Sequence, residues 1–485
     1  MAHQFYGRTR ELDKLDRVFA RKQGGQLFVL YGRRRVGKTE LINHWLRARK
    51  HRHILWTADR TSNSSSLRTL SQKIYAFENP TIEIAPNFSY QSWEQAFAQL
   101  ATISKTQRLV VVLDEFTYAM EAEKALPSIL QRLWDHHLKN SRIMLILTGS
   151  HAGMIEREIL AYRSPLYGRA TDSEHLQPLP FGAMSQFLPN YSAENRILMY
   201  GCVGGIPLYL EGLEPDATLE ENLALLLTRN VMLDDAGALL RDQLSEPRNY
   251  VAITESIAAG FTRLTEIAKM AGMDDGATSK YLSVMQKLGI VERQVPATVS
   301  RPAQSKLGRY RITDPYLRFY YRFIAPHRSL IESGRLEMPL AHLKQHLPSF
   351  VGKHAFEELC REWILDRAND GTLGFVPRRV GSYWGKKSGG GAGVEIDILA
   401  INEDEHELLL GECKFTQEPI GAGVVRALLQ DKAARVELDR EKAWKIRYAF
   451  FSRNGFTPEA RGTLLRGQAC EWVDLSTLDK ALCAT

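Results

Sequence analysis

QLFVLYGRRRVGKTELINHWLRA, residues 26–48, decides the reading of this chain. A short apolar strand runs into Gly32, and Gly32, Arg33, Arg34, Arg35, Val36, Gly37, Lys38 and Thr39 complete the pattern GxxxxGK[ST] before a helix begins. The two glycines let backbone N–H groups wrap phosphates at a helix N-terminus, where the peptide dipoles favour negative charge. Lys38 is placed to reach β and γ oxygens, and the Thr39 hydroxyl to ligate Mg²⁺. A turn that merely joined a strand to a helix would need none of these side chains.

Outward from that loop, residues 1–175 alternate β-rich runs (QLFVLYG, HILW, RLVVVLDE, IMLILTGS) with amphipathic stretches, which predicts an α/β domain with a parallel sheet. RLVVVLDEF delivers Asp114 and Glu115 at the carboxyl end of a buried strand, where such sheets bind ligands. Asp114 is expected to hold Mg²⁺ and Glu115 to orient or deprotonate the water that attacks a γ-phosphate. IMLILTGS ends in Thr148, which would either stand beside the same water or cap the next helix.

The 485 residues suggest roughly three domains at about 150 residues each. Lys plus Arg number 63 against 56 Asp plus Glu, a net charge of +7, and 44% of residues are hydrophobic, which excludes wholesale disorder. The longest apolar runs fall far short of the ~20 residues that cross a bilayer, and the N-terminus carries no signal-peptide pattern. No membrane association and a cytoplasmic location are therefore expected. Cys202, Cys360, Cys413, Cys470 and Cys483 are scattered and never in CxxC spacing, so neither a disulfide framework nor a zinc site is indicated. Residues 176–240 read as a helical lid containing GGIPLYL, 241–330 as a basic segment, 331–350 as a helical linker, and 351–485 as a second α/β pattern with a glycine-rich loop, KKSGGGAG.

FYGRTREL at 5–12, GRRRVGKTEL, VVLDEF, LTGS, SPLYGRA at 164–170 and GGIPLYL at 204–210 together resemble the AAA+/STAND-type archaeal and bacterial ATPase family over roughly residues 1–325. The resemblance implies a P-loop NTPase core that binds ATP. It places Tyr6 near adenine, brings the lid to the base through Pro207, and makes Arg169 a sensor of the γ-phosphate of its own or a neighbouring subunit's nucleotide. A homo-oligomer is compatible with that role.

Residues 241–330 hold 14 Lys or Arg and 8 Asp or Glu, a net of +6, so most of the chain's excess charge lies in under a fifth of its length. Such asymmetry points to a polyanion, and DNA is the expected partner. RLTEIAKMAGMDDGATSKYLSVMQKLGIVERQ at 263–294 resembles a winged helix-turn-helix, with Thr278, Ser279 and Lys280 toward a groove and Arg301 and Lys306 at the wing tip. The same module also serves as a rigid protein contact.

GVEIDILAINEDEHELLLGECKF reads as two strands about a polar turn. Because 397 + 412 = 395 + 414, Asp397 is set opposite Glu412 and Glu395 opposite Lys414, on one face with side chains about 5 Å apart. Two such close carboxylates repel unless a cation lies between them, whereas a plain hairpin would need only a Glu395–Lys414 pair. The pattern Asp-x14-Glu-x-Lys resembles the PD-(D/E)XK nuclease superfamily over residues 351–485. That resemblance makes Asp397, Glu412 and the upstream Glu357 ligands of Mg²⁺ or Mn²⁺, with Glu358 the second choice to Glu357, and makes Lys414 an aid to the attacking water. The expected protein is thus an ATP-binding and hydrolysing enzyme acting on DNA: an α/β P-loop core, a helical lid, a winged helix-turn-helix and a nuclease-like α/β domain. The alternative is a nucleotide-operated switch or scaffold whose last domain binds without cleaving.

Overall fold

The computed structural model describes residues 5–243, 247–385, 393–439, 442–464 and 468–483. Of the loop KKSGGGAG only Gly393 lies within them. The chain forms two compact units, one comprising residues 1–179 with Ile206–Leu208, the other 180–205 with 209–485.

In the first unit β1 (Gln26–Tyr31), β2 (His53–Thr57), β3 (Leu109–Asp114), β4 (Ile143–Gly149) and β5 (Asp172–His175) lie in the order β2-β3-β4-β1-β5. Every neighbouring pair is parallel. Each residue of β3 and β4 is buried, as expected of strands covered on both faces by helices. Insertion of β3 and β4 between β1 and β2 brings the carboxyl ends of β3, β4 and β1 side by side, with Leu113 in register with Leu147 and Leu30 with Thr148. One hydrophobic cluster, including Trp56, Phe97, Phe116 and Leu145, holds the sheet to its helices.

In the second unit the lid helix Ala193–Val203 packs against the helix Pro315–Phe319 and against the linker helix Glu337–Val351. Arg196 also donates to Asp479 near the C-terminus at 2.9 Å. Lid, basic segment, linker and C-terminal segment therefore share one packed body, and residues 331–350 are a packed helical part of it.

Within the basic segment, helix Leu264–Ala271 ends at Gly272, whose φ of 67° suits the left-handed cap that a glycine adopts without strain. Asp274 accepts from the Ala277 amide at 2.8 Å and starts helix Asp275–Lys287. A two-stranded antiparallel sheet follows, β6 (Val291–Gln294) with β7 (Arg309–Ile312). Ser279 and Lys280 are exposed, but Thr278 is buried and donates to the Asp274 carbonyl at 2.9 Å, so it does not face a groove as expected. Its i−4 bond is the usual way a helix satisfies an inward hydroxyl.

The C-terminal sheet has the order β12-β11-β10-β9-β8, with β8 (Arg379–Gly385), β9 (Val394–Asn402) and β10 (Glu407–Lys414) antiparallel, and β11 (Lys445–Ser452) and β12 (Cys470–Asp474) parallel to β10. The β9–β10 register from Asn402↔Glu407 to Ile398↔Gly411 keeps the sum 809 given by the turn centre. Strand β9 does not bury a single apolar face. Ser382 of β8 opposes two residues of β9, Asp397 and Ile398, because Gly381 pairs with Leu399 and Tyr383 with Ile396. This bulge breaks the alternation. Ile396, Leu399 and Ile401 share one cluster, whereas Ile398 and Ala400, also fully buried, lie outside it. No helix among the described residues is long and apolar enough to cross a membrane.

Candidate functional site

The phosphate loop is built for close backbone approach. Gly32, at φ 149°, would place a Cβ only 2.5 Å from the Leu176 carbonyl oxygen, so no side chain fits there. Gly37 and Arg35 have φ 93° and 70°, which turns successive amides inward before helix Lys38–Arg49. Lys38 is buried and donates to the carbonyls of Gly32 (3.0 Å) and Arg33 (3.1 Å) and to Ser150 Oγ (2.9 Å). Burial lowers its pKa, against the opposing pull of Glu115 and Asp114.

Asp114 collects the strand ends. Thr39 Oγ1 donates to Asp114 Oδ2 at 2.9 Å, and the Thr148 hydroxyl donates to Oδ1. The Glu115 amide in turn donates to Thr148 Oγ1 at 3.1 Å, so Thr148 links the two acidic positions and does not cap the following helix. Glu115 sits at φ 50°, a conformation a non-glycine residue holds only when its surroundings enforce it. Here the Ser150 amide (3.1 Å) and hydroxyl both bond its carboxylate. Both acids are thus oriented by hydroxyl and amide donors, and neither meets Lys38 directly. The Thr39 hydroxyl and Asp114 carboxylate are hard oxygen donors of the kind Mg²⁺ takes.

Other expected residues distribute unevenly around this core. Val36 is buried, Arg33 and Arg35 are half-buried, and Arg34 is exposed on the loop. Pro207 belongs to this unit although its neighbours Gly205 and Tyr209 do not, and its Cγ lies 3.6 Å from where a Gly37 Cβ would be. Tyr6 is half-buried beside Phe5, which stacks on His44 of the helix after the loop at 4.0 Å. Arg169 is held by other partners. Its guanidinium forks onto Asp135 at 3.0 and 2.7 Å and onto the Pro165 carbonyl at 3.0 Å. Sequence reasoning missed Arg8, a buried arginine at φ 66° whose Nη2 donates to the Val36 carbonyl at 3.0 Å. Its other partner, Glu11 at 3.1 Å, is local, but the contact with the loop reaches a residue 28 positions away.

At the C-terminal centre the Cys413 amide donates to Asp397 Oδ2 at 2.8 Å. Lys414 Nζ lies 2.5 Å from Glu412 Oε1 and 3.9 Å from Asp397 Oδ2. Glu395 is apart from this group, mostly exposed and paired with Arg309 at 2.7 Å, so the expected Glu395–Lys414 opposition is replaced by two separate ion pairs. Burial, and then the charge of Asp397, push Glu357 up to about 8, while burial, and then Glu412, push Asp397 up to about 6. Burial alone would raise Glu358, but Arg318 and Arg311 outweigh it and hold it down to about 2. Glu357 thus faces the acids and Glu358 the arginines.

The missed residue here is Lys432, whose Nζ donates to both Glu412 oxygens, at 2.9 and 2.7 Å. The carboxylates Glu357, Asp397 and Glu412 suit Mg²⁺ or Mn²⁺ in kind. Among the described residues, however, no three His, Cys, Asp or Glu side chains gather closely enough to hold a metal ion. The expected three-ligand set is therefore not assembled, and Lys414 and Lys432 both pair with Glu412.

A family model described as an ATPase domain predominantly from Archaea matches residues 5–213, and one described as archaeal and bacterial proteins of unknown function matches residues 320–435. The uncharacterized protein MJECL04 of Methanocaldococcus jannaschii is 30% identical over 411 residues, 85% of this chain and 87% of that one. A second protein of that organism, uncharacterized protein MJ0424, is 37% identical over 54 residues, 11% of this chain and 52% of that one. Among solved structures, the Aeropyrum pernix ORC2 protein in ADPNP–ADP complexes is similar over 68% of this chain and 95% of its own, at 14% identity and a TM-score of 0.43. Cdc6p of Pyrobaculum aerophilum is similar over 68% and 96%, at 16% identity and a TM-score of 0.33. With its phosphate loop, paired acids and Thr39–Asp114 oxygen donors suited to Mg²⁺, the chain belongs to the archaeal-type ATPase family and is a nucleotide-binding ATPase.

Proposed function

We propose that this ATPase acts on DNA, and that its C-terminal domain is a metal-dependent nuclease-like module presented to the phosphodiester backbone. The observation that carries the reading is the convergence of Asp397, Glu412 and Lys414 from two adjacent strands, with Lys414 within ion-pair distance of both acids. An ammonium flanked by carboxylates is suited to steadying charge on a phosphoryl group. In the nucleotide site, Lys38 would reach the β and γ oxygens, Glu115 would orient the attacking water, and Thr39 with Asp114 would hold Mg²⁺. Pro207 lies against Gly37 within the same unit.

A second reading has its own support. Glu412 is closed by Lys414 and Lys432, which favours a nucleotide-operated switch or scaffold whose last domain binds without cutting. The two readings separate in one experiment. Purified protein is incubated with linear, circular and branched DNA, with Mg²⁺ or Mn²⁺, with and without ATP, beside Asp397→Ala. Cleavage that disappears in the variant supports the nuclease, and no cleavage on any substrate with intact ATP turnover supports the switch.

A further inference from the structure

The loop between β6 and β7, residues 295–308, does not stand free as a wing. It lies along β8, the edge strand of the C-terminal sheet. The Ala297 amide donates to the Ser382 carbonyl at 2.9 Å, Arg379 Nη1 to the Val299 carbonyl at 3.1 Å, and Trp384 Nε1 to the Leu307 carbonyl at 3.1 Å. Ala297 is buried in the same cluster as Ile396 and Leu399. Arg309 lies 4.4 Å from the Trp384 ring centroid and pairs with Glu395, two residues before Asp397. The loop also has an internal brace, because Arg293 donates to the carbonyls of Pro302 and Ser305. It is held from inside and outside.

The cations of this hairpin divide by role. Arg293 braces the loop, Arg309 docks it, and Arg311 pairs with Glu292 and Glu358. Arg301 and Lys306 remain, exposed on either side of the turn Pro302–Gln304, and among the described residues neither has an acidic partner. Chain reach bounds the distance of Lys306 from the acid centre. Three residue steps lead from Lys306 to Arg309, one ion pair between side chains joins Arg309 to Glu395, and two steps lead on to Asp397, which together span at most about 32 Å from Cα to Cα. At 3.4 Å per base step that is about nine base pairs, less than one turn of duplex.

We propose that the docked wing and the Asp397 centre form one surface for a single DNA duplex, with Arg301 and Lys306 holding phosphates within one helical turn of the strand presented to Asp397 and Lys414. This rests on the DNA-acting reading and holds whether or not the C-terminal domain cleaves. Docking against β8 makes the wing an arm of the C-terminal domain, so phosphate contacts made there set where the duplex lies over the acids.

The test uses the full chain with Ca²⁺ in place of Mg²⁺ and a fluorescein-labelled duplex of about 12 base pairs, with affinity read by anisotropy across a salt series. Arg301→Ala with Lys306→Ala is expected to weaken binding about tenfold and to reduce the slope of log K against log salt by about 1.8, the value for two phosphate contacts. Thermal melting of the variant confirms that it is folded. In parallel, photoreactive p-benzoylphenylalanine in place of Glu395, or of Lys306, is expected to cross-link to the same 12-base-pair duplex. Unchanged affinity and slope in the folded double variant, or cross-linking from position 306 without position 395, overturns the shared surface. Failure of the wild-type protein to bind any duplex removes the DNA-acting reading beneath it.

Discussion

The nucleotide site and the C-terminal centre use the same parts, carboxylates and lysines, and arrange them oppositely. In the first, Lys38 donates to two carbonyls and a serine, while Asp114 and Glu115 are held by hydroxyls and amides. In the second, Lys414 and Lys432 donate straight into Glu412. An acid oriented by neutral donors keeps its charge for an incoming cation, whereas an acid held by ammonium groups has already been neutralised. The difference separates a site arranged for its ligand from one that must exchange partners to accept one.

The largest effect that would break this comparison is at the loop. Lys38→Ala should lower ATP turnover at least about 1000-fold in a steady-state phosphate-release assay, since it removes a preorganised cation from the transferring group. Turnover near wild type would displace the site. Glu115→Gln should keep nucleotide binding but slow hydrolysis about 100-fold, the usual cost of losing a positioned general base. A variant that hydrolyses at the wild-type rate would leave Glu115 a purely structural bend.

At the other centre the expected effects are on stability. Lys432→Ala leaves the buried Glu412 carboxylate short of a donor and should cost about 1–3 kcal/mol, read as a lowered denaturation midpoint at pH 7. A smaller effect is pH dependence. Glu357 and Asp397 bind protons more tightly folded than unfolded, so between pH 5 and 8 the native state carries more protons and stability falls as pH rises. Glu357→Gln should flatten that slope. An equal slope in the variant would show that Glu357 does not take up this proton. The smallest effect is predicted for Arg169→Ala, whose exposed-side pair with Asp135 is worth at most about 1 kcal/mol. Turnover should change less than about threefold, and a hundredfold loss would return Arg169 to the nucleotide.

Legibility followed the range of the interactions. The loop from Gly32 to Thr39 and the β9–β10 register were readable because a turn sets both the backbone path and the pairing across it. The bulge at Asp397 was not, since it depends on β8, whose pairing with β9 no local pattern specifies. Thr278 shows the same limit on a helix, where exposure was decided by what packed against it.

The sequence by itself determined that a phosphate-binding loop follows a buried strand, that two acids end another strand, and that Asp397, Glu412 and Lys414 approach across a hairpin. These follow from patterns of a few residues. Only the tertiary structure decided that Arg8 braces the loop, that Arg169 holds Asp135, that Lys432 closes Glu412, and that the wing lies on β8. Each is a bond between charged or polar groups far apart in the chain. Such partners are chosen by packing, because a buried charge must find whichever counter-group the fold brings within reach.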